Sequence, residues 1–288
     1  MGEVLLDALL DSLKIFPFLF LLYVLIEFLE HRTSVSRNKN LLRGGLAPLL
    51  GAAVGMIPQC GFSVMAAKLY DKKLIRTGTV LAEFLATSDE ALIILLSDGS
   101  KAFSVMPIIA IKFIVAVAVG YAANALLRRE SLSELSENEE VHGTPCGHDH
   151  EEDSKIRRYL VHPLLHSLEI FAYILVVNVL FGILIYYVTE ESLAAFLQGG
   201  LWYQPLIAAA VGLIPNCASS VVITQTYILG GLSFGGCIAG LCANAGLGFV
   251  ILFKNARAWK RNLLLMAVLY VISIAAGYAA LGIAAAFA

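Results

Sequence analysis

The sequence predicts an all-α integral membrane protein made of two inverted-topology repeats. Each half is expected to hold three transmembrane helices and a broken re-entrant helical hairpin, about ten helical segments in total. Three observations support this prediction: the composition, an internal repeat and the distribution of basic residues between loops. The 288-residue chain is 59% hydrophobic and only 15% charged, with a mean hydropathy of +0.80. Such values are typical of membrane proteins and exclude an ordinary soluble domain.

An internal repeat divides the chain. Residues 48–64, PLLGAAVGMIPQCGFSV, align with residues 205–221, PLIAAAVGLIPNCASSV, at a constant offset of 157. Further upstream, LLDSLKIF at 9–16 matches LLHSLEIF at 164–171 at an offset of 155. Self-similarity over this length indicates two copies of one structural unit. We therefore divide the chain into a first membrane repeat at 1–127, a linker rich in histidine and acidic residues at 128–160, and a second membrane repeat at 161–288.

Apolar runs of about 20 residues or more are predicted membrane spans. They occupy residues 8–30, 74–97, 103–127, 163–188, 231–253 and 262–286. Two further runs, 44–68 and 201–226, contain a Gly-x-x-Pro break, which interrupts a helix. Basic loops flank the first of these on both sides, and cytoplasmic loops are enriched in lysine and arginine. This run is therefore predicted to enter and leave through one face, as a re-entrant hairpin. A single kinked span is the alternative.

The loop charges reverse in the second copy. Its loops at 189–200 and 227–235 contain no lysine or arginine, whereas residues 254–261 carry four basic residues. The counterpart of that last loop, residues 97–102, holds only Lys101. Three crossings per copy would invert the second copy relative to the first, in agreement with these charges. We expect a multi-pass protein of the inner (plasma) membrane, with both termini outside and a cytoplasmic linker. Inverted repeats are typical of secondary transporters.

Ionisable residues at membrane depth are rare and often functional. In span 74–97, Glu83, Thr87 and Glu90 are spaced i, i+4 and i+7, which predicts one helix face, with Asp89 beside them. The second copy has Asn244 at the position of Thr87. Lys112 lies deep in the next span, and we expect a carboxylate as its partner. Such a pair could couple proton movement, or it could be a structural ion pair between two helices.

Each proline break carries one cysteine. Gln59, Cys60 and Ser63 lie at the first tip, and Asn216, Cys217 and Ser220 lie at the second. If the tips meet, thiols, amides and unwound carbonyls converge. Thiolates select soft metals and metalloids, whereas carboxylates suit harder divalent cations. The candidate metal ligands of a transport site are therefore Cys60, Cys217, Asp89 and Glu90. The alternative is that each cysteine is a small packing residue.

A second candidate metal site lies in the linker. His142, Cys146, His148 and His150 fall within nine residues and are interleaved with acidic residues. This composition can bind zinc-like ions, but the spacing matches no defined zinc fold. We interpret the segment as a weak cytoplasmic metal collector or, alternatively, as a solvated loop.

These motifs carry a resemblance to a known family. The pair G-M-I-P-Q-C-G and G-L-I-P-N-C-A, the acidic TSDE that follows the first and the histidine-rich central loop resemble the heavy-metal exporter branch of the arsenical permease superfamily. Some members of that branch are described as manganese transporters. The chain is similar also to methylarsenite exporters, which have additional cysteines at the tips. The resemblance implies a translocation site formed by Pro58, Gln59, Cys60, Thr87, Ser88, Asp89, Glu90, Pro215, Asn216 and Cys217.

The expected function is secondary-active export of a heavy-metal or metalloid species, a divalent metal such as manganese or an arsenical, by alternating access. Asp89, Glu90 and Glu83 are expected to exchange protons as the solute binds. We expect no enzymatic activity, no cofactor besides the transported ion and no nucleic acid. The expected partners are the bilayer, a small inorganic or organometallic solute and a second copy in a homodimer.

The sequence is compatible with three other functions. A pair of broken hairpins also suits a channel or uniporter. A membrane thiol redox enzyme would need Cys60 and Cys217 within about 7 Å between their Cα atoms. A metal sensor could use the linker. The absence of a GxxxxGK[ST] loop from the sequence argues against nucleotide-driven pumping.

Overall fold

The architecture comes from a computed structural model of the chain. It describes residues 44–88, 91–98, 102–127, 171–180, 202–255 and 258–287, with Gly200 and single positions between 9 and 20 and between 164 and 168. Throughout these ranges every regular element is a helix. The all-α prediction is therefore confirmed for the described part of the chain.

The two copies contain the same succession of helices. The first comprises α1 (Ala47–Gly55), α2 (Gly61–Asp71), α3 (Thr77–Ala86), α4 (Ala91–Ser97), a short 3₁₀ helix (Ala102–Ser104) and α5 (Val105–Leu126). The second comprises α6 (Gln204–Gly212), α7 (Cys217–Ile228), α8 (Phe234–Ala243), α9 (Gly248–Lys254) and α10 (Trp259–Phe287). Within the predicted span 163–188, Phe171–Leu180 is also helical.

Three described segments are long and apolar enough to cross a membrane: Ala102–Leu126, Phe234–Lys254 and Trp259–Ile283. They correspond to the predicted spans 103–127, 231–253 and 262–286. The predicted span 74–97 is not one continuous helix, because α3 ends at Ala86 and α4 begins at Ala91. The corresponding segment of the second copy, Phe234–Lys254, is also interrupted, between Ala243 and Gly248. By length and composition it is nevertheless long and apolar enough to cross a membrane. The predicted span 8–30 lies largely outside the described residues.

The centre of the molecule is formed by α3 and α8. Every residue from Gly78 to Ala86 is buried, and so is every residue from Gly235 to Ala243. By contrast, α5 buries only a stripe at a spacing of about four residues, which includes Lys112 and Gly120. The other apolar side chains of α5 are half-buried or exposed, as expected of a helix that faces lipid on one side.

Glycines allow the helices to approach closely. A Cβ atom added to Gly78 would lie 2.2 Å from the carbonyl oxygen of Gly120, so α3 and α5 touch through their backbones. In the second copy, a Cβ on Gly235 would lie 2.4 Å from the Gly277 oxygen. Small residues at helix crossings are how membrane helices obtain tight packing.

The helix contacts follow one scheme in both copies. In the first, α3 packs against α1 and α5; in the second, α8 packs against α6 and α10. The two copies also contact each other through equivalent helices. The helix α2 packs on α9, its counterpart α7 packs on α4, and α3 packs on α8. The contacts between the copies therefore join helices at equivalent repeat positions.

The start of α1 and the end of α2 both lie beside the start of α3. Pro48 lies next to Gly120, which is itself beside Gly78, and Gly55 lies next to Thr87 at the far end of α3. The chain then turns, and α2 returns until the Tyr70 hydroxyl lies 3.1 Å from Thr77 Oγ1. The residues between α1 and α2 are therefore placed beside the end of α3 rather than its start.

Candidate functional site

The two proline-cysteine tips have similar local structures. Cys60 directly precedes α2 and Cys217 is the first residue of α7, and both are half-buried. Ser63 Oγ donates to the Cys60 carbonyl at 2.7 Å, and Ser220 Oγ donates to the Cys217 carbonyl at 2.8 Å. Each serine hydroxyl therefore orders the first turn of its own helix.

The tips differ at the residue before the cysteine. Asn216 caps α7, because its Oδ1 accepts a hydrogen bond from the Ala218 amide at 3.1 Å. The first tip has Gln59 at this position, and no side chain caps α2. Pro58 is exposed, whereas Pro215 is half-buried. The second tip is therefore the more tightly ordered of the two.

The first tip is bonded to the interruption between α3 and α4. The Ser88 amide donates to the Gly55 carbonyl at 3.1 Å, and Ser88 Oγ donates to the Ala86 carbonyl at 3.0 Å. Thr87 Oγ1 donates to the Glu83 carbonyl at 2.9 Å and lies 3.4 Å from Glu83 Oε1. Thr87, Ser88 and Glu83 are all buried. These hydrogen bonds satisfy backbone groups at the end of α3 that have no partner within the helix.

The matching interruption in the second copy is built differently. Asn244 follows α8, is 2% exposed and accepts a hydrogen bond on Oδ1 from the Gly246 amide at 2.9 Å. Gly246 has a φ of +52°, a conformation that glycine adopts without cost. An Asx turn therefore interrupts this helix where Thr87 and Ser88 interrupt the first.

Lys112 connects the two interrupted helices. Its side chain is 1% exposed, and Nζ donates to the Thr87 carbonyl at 2.5 Å and to the Leu241 carbonyl at 2.8 Å. Thr87 terminates α3, and Leu241 lies in the last turn of α8. We predicted a carboxylate partner from the sequence and did not foresee these carbonyls. They are available because both helices end at this point.

We expected Glu83, Thr87 and Glu90 to share one helix face, and Thr87 does lie against Glu83. The helix that would carry them ends at Ala86, so the spacing of 3.6 residues per turn does not extend to residue 90. Asp89 and Glu90 lie outside the described residues. Their roles in binding and proton exchange stay predictions.

The predicted metal sites also stay predictions. Across the described ranges, no group of three or more His, Cys, Asp or Glu side chains could hold a metal ion. The proposed set at the tips needs Asp89 and Glu90, which are outside those ranges. The linker residues His142, Cys146, His148 and His150 also lie outside them. Cys237 and Cys242 are fully buried.

A small cavity beside Glu83 was not predicted. It has a volume of about 120 Å³ and lies between α1, α2 and α3, with Thr79 and Glu83 as the polar residues of an otherwise apolar lining. In the second copy the position of Glu83 is Gly240, which Ile223 covers. The clue in the sequence was the replacement of a glycine by a glutamate at equivalent repeat positions.

The helices and the buried polar interruptions define a polytopic, all-helical membrane protein. The chain belongs to the family described as "Putative, 10TM heavy-metal exporter", whose sequence model matches residues 3–183 and, a second time, residues 166–286. The resemblance inferred from the motifs is thereby confirmed. No curated protein and no solved structure matches the chain. The family description assigns the chain to the membrane transporters rather than the enzymes, with the bilayer and a small solute as partners.

Proposed function

We propose that this protein is a secondary-active exporter that moves a heavy-metal or metalloid species by alternating access between the two proline-cysteine tips. The observation that carries the proposal is the meeting of two interrupted helices, one from each copy, at Lys112, with the first tip bonded to one of the interruptions. Interrupted helices from two repeats form the substrate sites of many secondary transporters.

The directions of the helices support inverted repeats. Helix α5 is continuous over 22 residues, or about 33 Å at 1.5 Å per residue. At its carboxyl end, Asn124 accepts a hydrogen bond from the Gly78 amide at the start of α3. At its amino end, the Ser104 hydroxyl accepts one from Tyr227 near the end of α7. The first and second hairpins therefore return to opposite ends of α5.

The interrupted spans also run in opposite directions. Asp71, just before α3, accepts a hydrogen bond at 2.7 Å from Asn255, which follows α9. The segment α3–α4 thus begins near the place where α8–α9 finishes. Since residues 68–76 and 254–261 are both rich in lysine and arginine, we assign their common end to the cytoplasm. The linker is then cytoplasmic and both termini are outside.

The side chains at the tips suit a soft or borderline solute. In this proposal Cys60 and Cys217 would supply thiols, Gln59 and Asn216 would supply amides, and the turns at Pro58 and Pro215 would supply backbone carbonyls. In this proposal Asp89 and Glu90 provide the negative charge that a divalent cation needs. Together with Glu83 they release protons when the cation binds and take them up again when it leaves. Manganese and trivalent arsenicals are the candidate solutes, and a homodimer is the candidate assembly.

The solute class can be tested by ligand-dependent stability. We expect arsenite or methylarsenite to raise the unfolding midpoint of the purified protein, because a ligand bound only by the native state stabilises it. The rise should vanish in a Cys60→Ala, Cys217→Ala double variant. It should persist in Cys237→Ala, which removes a buried thiol away from the tips and serves as the control.

Manganese in the same experiment tests the carboxylates. Stabilisation by manganese that survives in the cysteine variant and is lost in Asp89→Asn, Glu90→Gln would place the ion at the acidic residues. No response of the wild-type protein to manganese, zinc, cobalt or either arsenical would contradict a metal or metalloid cargo.

Topology can be tested by thiol labelling in intact cells. In a background with Cys60, Cys146 and Cys217 changed to alanine, a membrane-impermeant maleimide should label Ser100→Cys from outside. Lys260→Cys should react only after the membrane is permeabilised. Labelling of both positions from the same side would rule out the inverted arrangement.

A further inference from the structure

Lys112 occupies a place that would attract a cation even if the lysine were absent. It lies on the buried stripe of α5, and its ammonium group donates to the carbonyls of Thr87 and Leu241. The last carbonyls of a helix lack intrahelical partners. Each helix end also carries a partial negative charge of about half a unit. Two such ends facing one nitrogen supply about one full negative charge.

The two helix ends come from equivalent elements of the two copies, α3 and α8, which pack directly against each other. Carboxyl ends of broken helices, with their unwound carbonyls, coordinate sodium ions or protons in membrane transporters. Oxygen ligands of this kind suit hard cations. Lys112 Nζ therefore lies between two backbone oxygens of the kind that coordinate small cations.

In the second copy, an uncharged residue occupies the position that corresponds to Lys112. The counterpart of Lys112 is Leu269, which is fully buried on α10. A buried apolar side chain therefore serves at this helix crossing, and a lysine is not required merely to fill it. A buried ammonium has a large desolvation cost, and hydrogen bonds to the two carbonyls help to offset it.

We propose that the carbonyls of Thr87 and Leu241 form a monovalent-cation site, and that its resident cation is the protein's own Lys112 ammonium. This inference goes beyond the proposed function, because the site holds its cation whatever solute is exported. A tethered cation cannot leave with the solute. Wild-type protein is accordingly insensitive to sodium at this point, and the charge holds the two interrupted helices together.

The test is to remove the ammonium and supply a free ion. Lys112→Ala leaves a space beside the two carbonyls, whereas Lys112→Met fills most of it with an apolar chain and is the matched control. Each variant is purified in sodium chloride and, in parallel, in N-methylglucamine chloride at equal ionic strength. The readout is the thermal unfolding midpoint, which requires no transport assay.

We expect the wild-type midpoint to be the same in both salts. The midpoint of Lys112→Ala should fall, and sodium or lithium should raise it again by about 5 °C or more. Lys112→Met should be destabilised without responding to sodium. An equal response of all three proteins would be a general salt effect and would overturn the proposal. So would the absence of a sodium response in Lys112→Ala, or its failure to fold in either salt.

Discussion

Alanine at Gly78 or at Gly235 is expected to destabilise the protein strongly. At Gly78 the new Cβ would lie 2.2 Å from the Gly120 oxygen and 2.5 Å from Asn124 Oδ1. At Gly235 it would lie 2.3 Å from Leu281 Cγ and 2.4 Å from the Gly277 oxygen. Real Cβ atoms essentially never approach within 3.0 Å, so the helices must separate. Overpacking of this kind costs about 1–3 kcal/mol and occasionally more.

The measurement is the thermal unfolding midpoint of each purified variant, which should fall by roughly 5–10 °C. Gly282→Ala is the control. Gly282 lies in α10 with no heavy atom within 4 Å of an added Cβ. Since alanine is the better helix former by about 1 kcal/mol, this variant should be as stable as the wild type or more so. A wild-type midpoint for Gly78→Ala would mean that α3 and α5 are not in backbone contact.

The sequence predicted the uninterrupted helices well and missed the interruptions without proline. The bounds of α5 and α10 agree with the apolar runs, because continuous hydrophobic segments have one solution in a bilayer. The proline breaks after Gly55 and Gly212 were visible because proline removes a helix hydrogen bond. The ends of α3 and α8 contain no proline. The first is completed by the bond from Ser88 to Gly55, a contact between distant residues that no local pattern shows.

The carbonyl partners of Lys112 were missed for the same reason. Lys112 was expected to pair with a carboxylate because carbonyls within a continuous helix are already bonded. Once α3 and α8 end near Thr87 and Asn244, their last carbonyls become acceptors. The short sequence Asn244-Ala-Gly246 in the second copy was the available signal. An asparagine side chain favours a turn by accepting a hydrogen bond from the backbone two residues further on, where glycine is well tolerated. Applied to the first copy at an offset of 157, this signal would have indicated an interruption at Thr87.

At the proposed cytoplasmic end, a charged cluster joins the two copies. Asp71 forms an ion pair with Arg261 at 3.4 Å and accepts a hydrogen bond from Asn255. The Arg261 guanidinium also lies over the ring of Tyr70, 4.6 Å from its centre. The side chains of the ion pair are about one third exposed, so solvent weakens it. The three contacts together are worth about 1–2 kcal/mol.

The equivalent place in the other half lacks this ion pair, and there the Tyr227 hydroxyl, at the position of Tyr70, donates to Ser104 Oγ at 3.0 Å. There Ile228 replaces Asp71 and Ser104 replaces Arg261, and a cavity of about 430 Å³ opens beside Ile228 and Asp98. In the proposed alternating-access cycle, the charged cluster holds the cytoplasmic end closed. Removing the charges should therefore make the cytoplasmic end open more often.

We expect an Asp71→Ile, Arg261→Ser variant, which copies the residues of the other half, to expose the first tip to the cytoplasm. The readout is the rate at which an impermeant maleimide labels Cys60 in inverted membrane vesicles, with Cys146 and Cys217 changed to alanine. The rate should rise about tenfold, because 1–2 kcal/mol shifts a two-state population by that order. Lys260→Ser removes a neighbouring exposed cation that does not contact Asp71, and its labelling rate should match the wild type. An unchanged rate in a stably folded double variant would show that these charges do not close the cytoplasmic end.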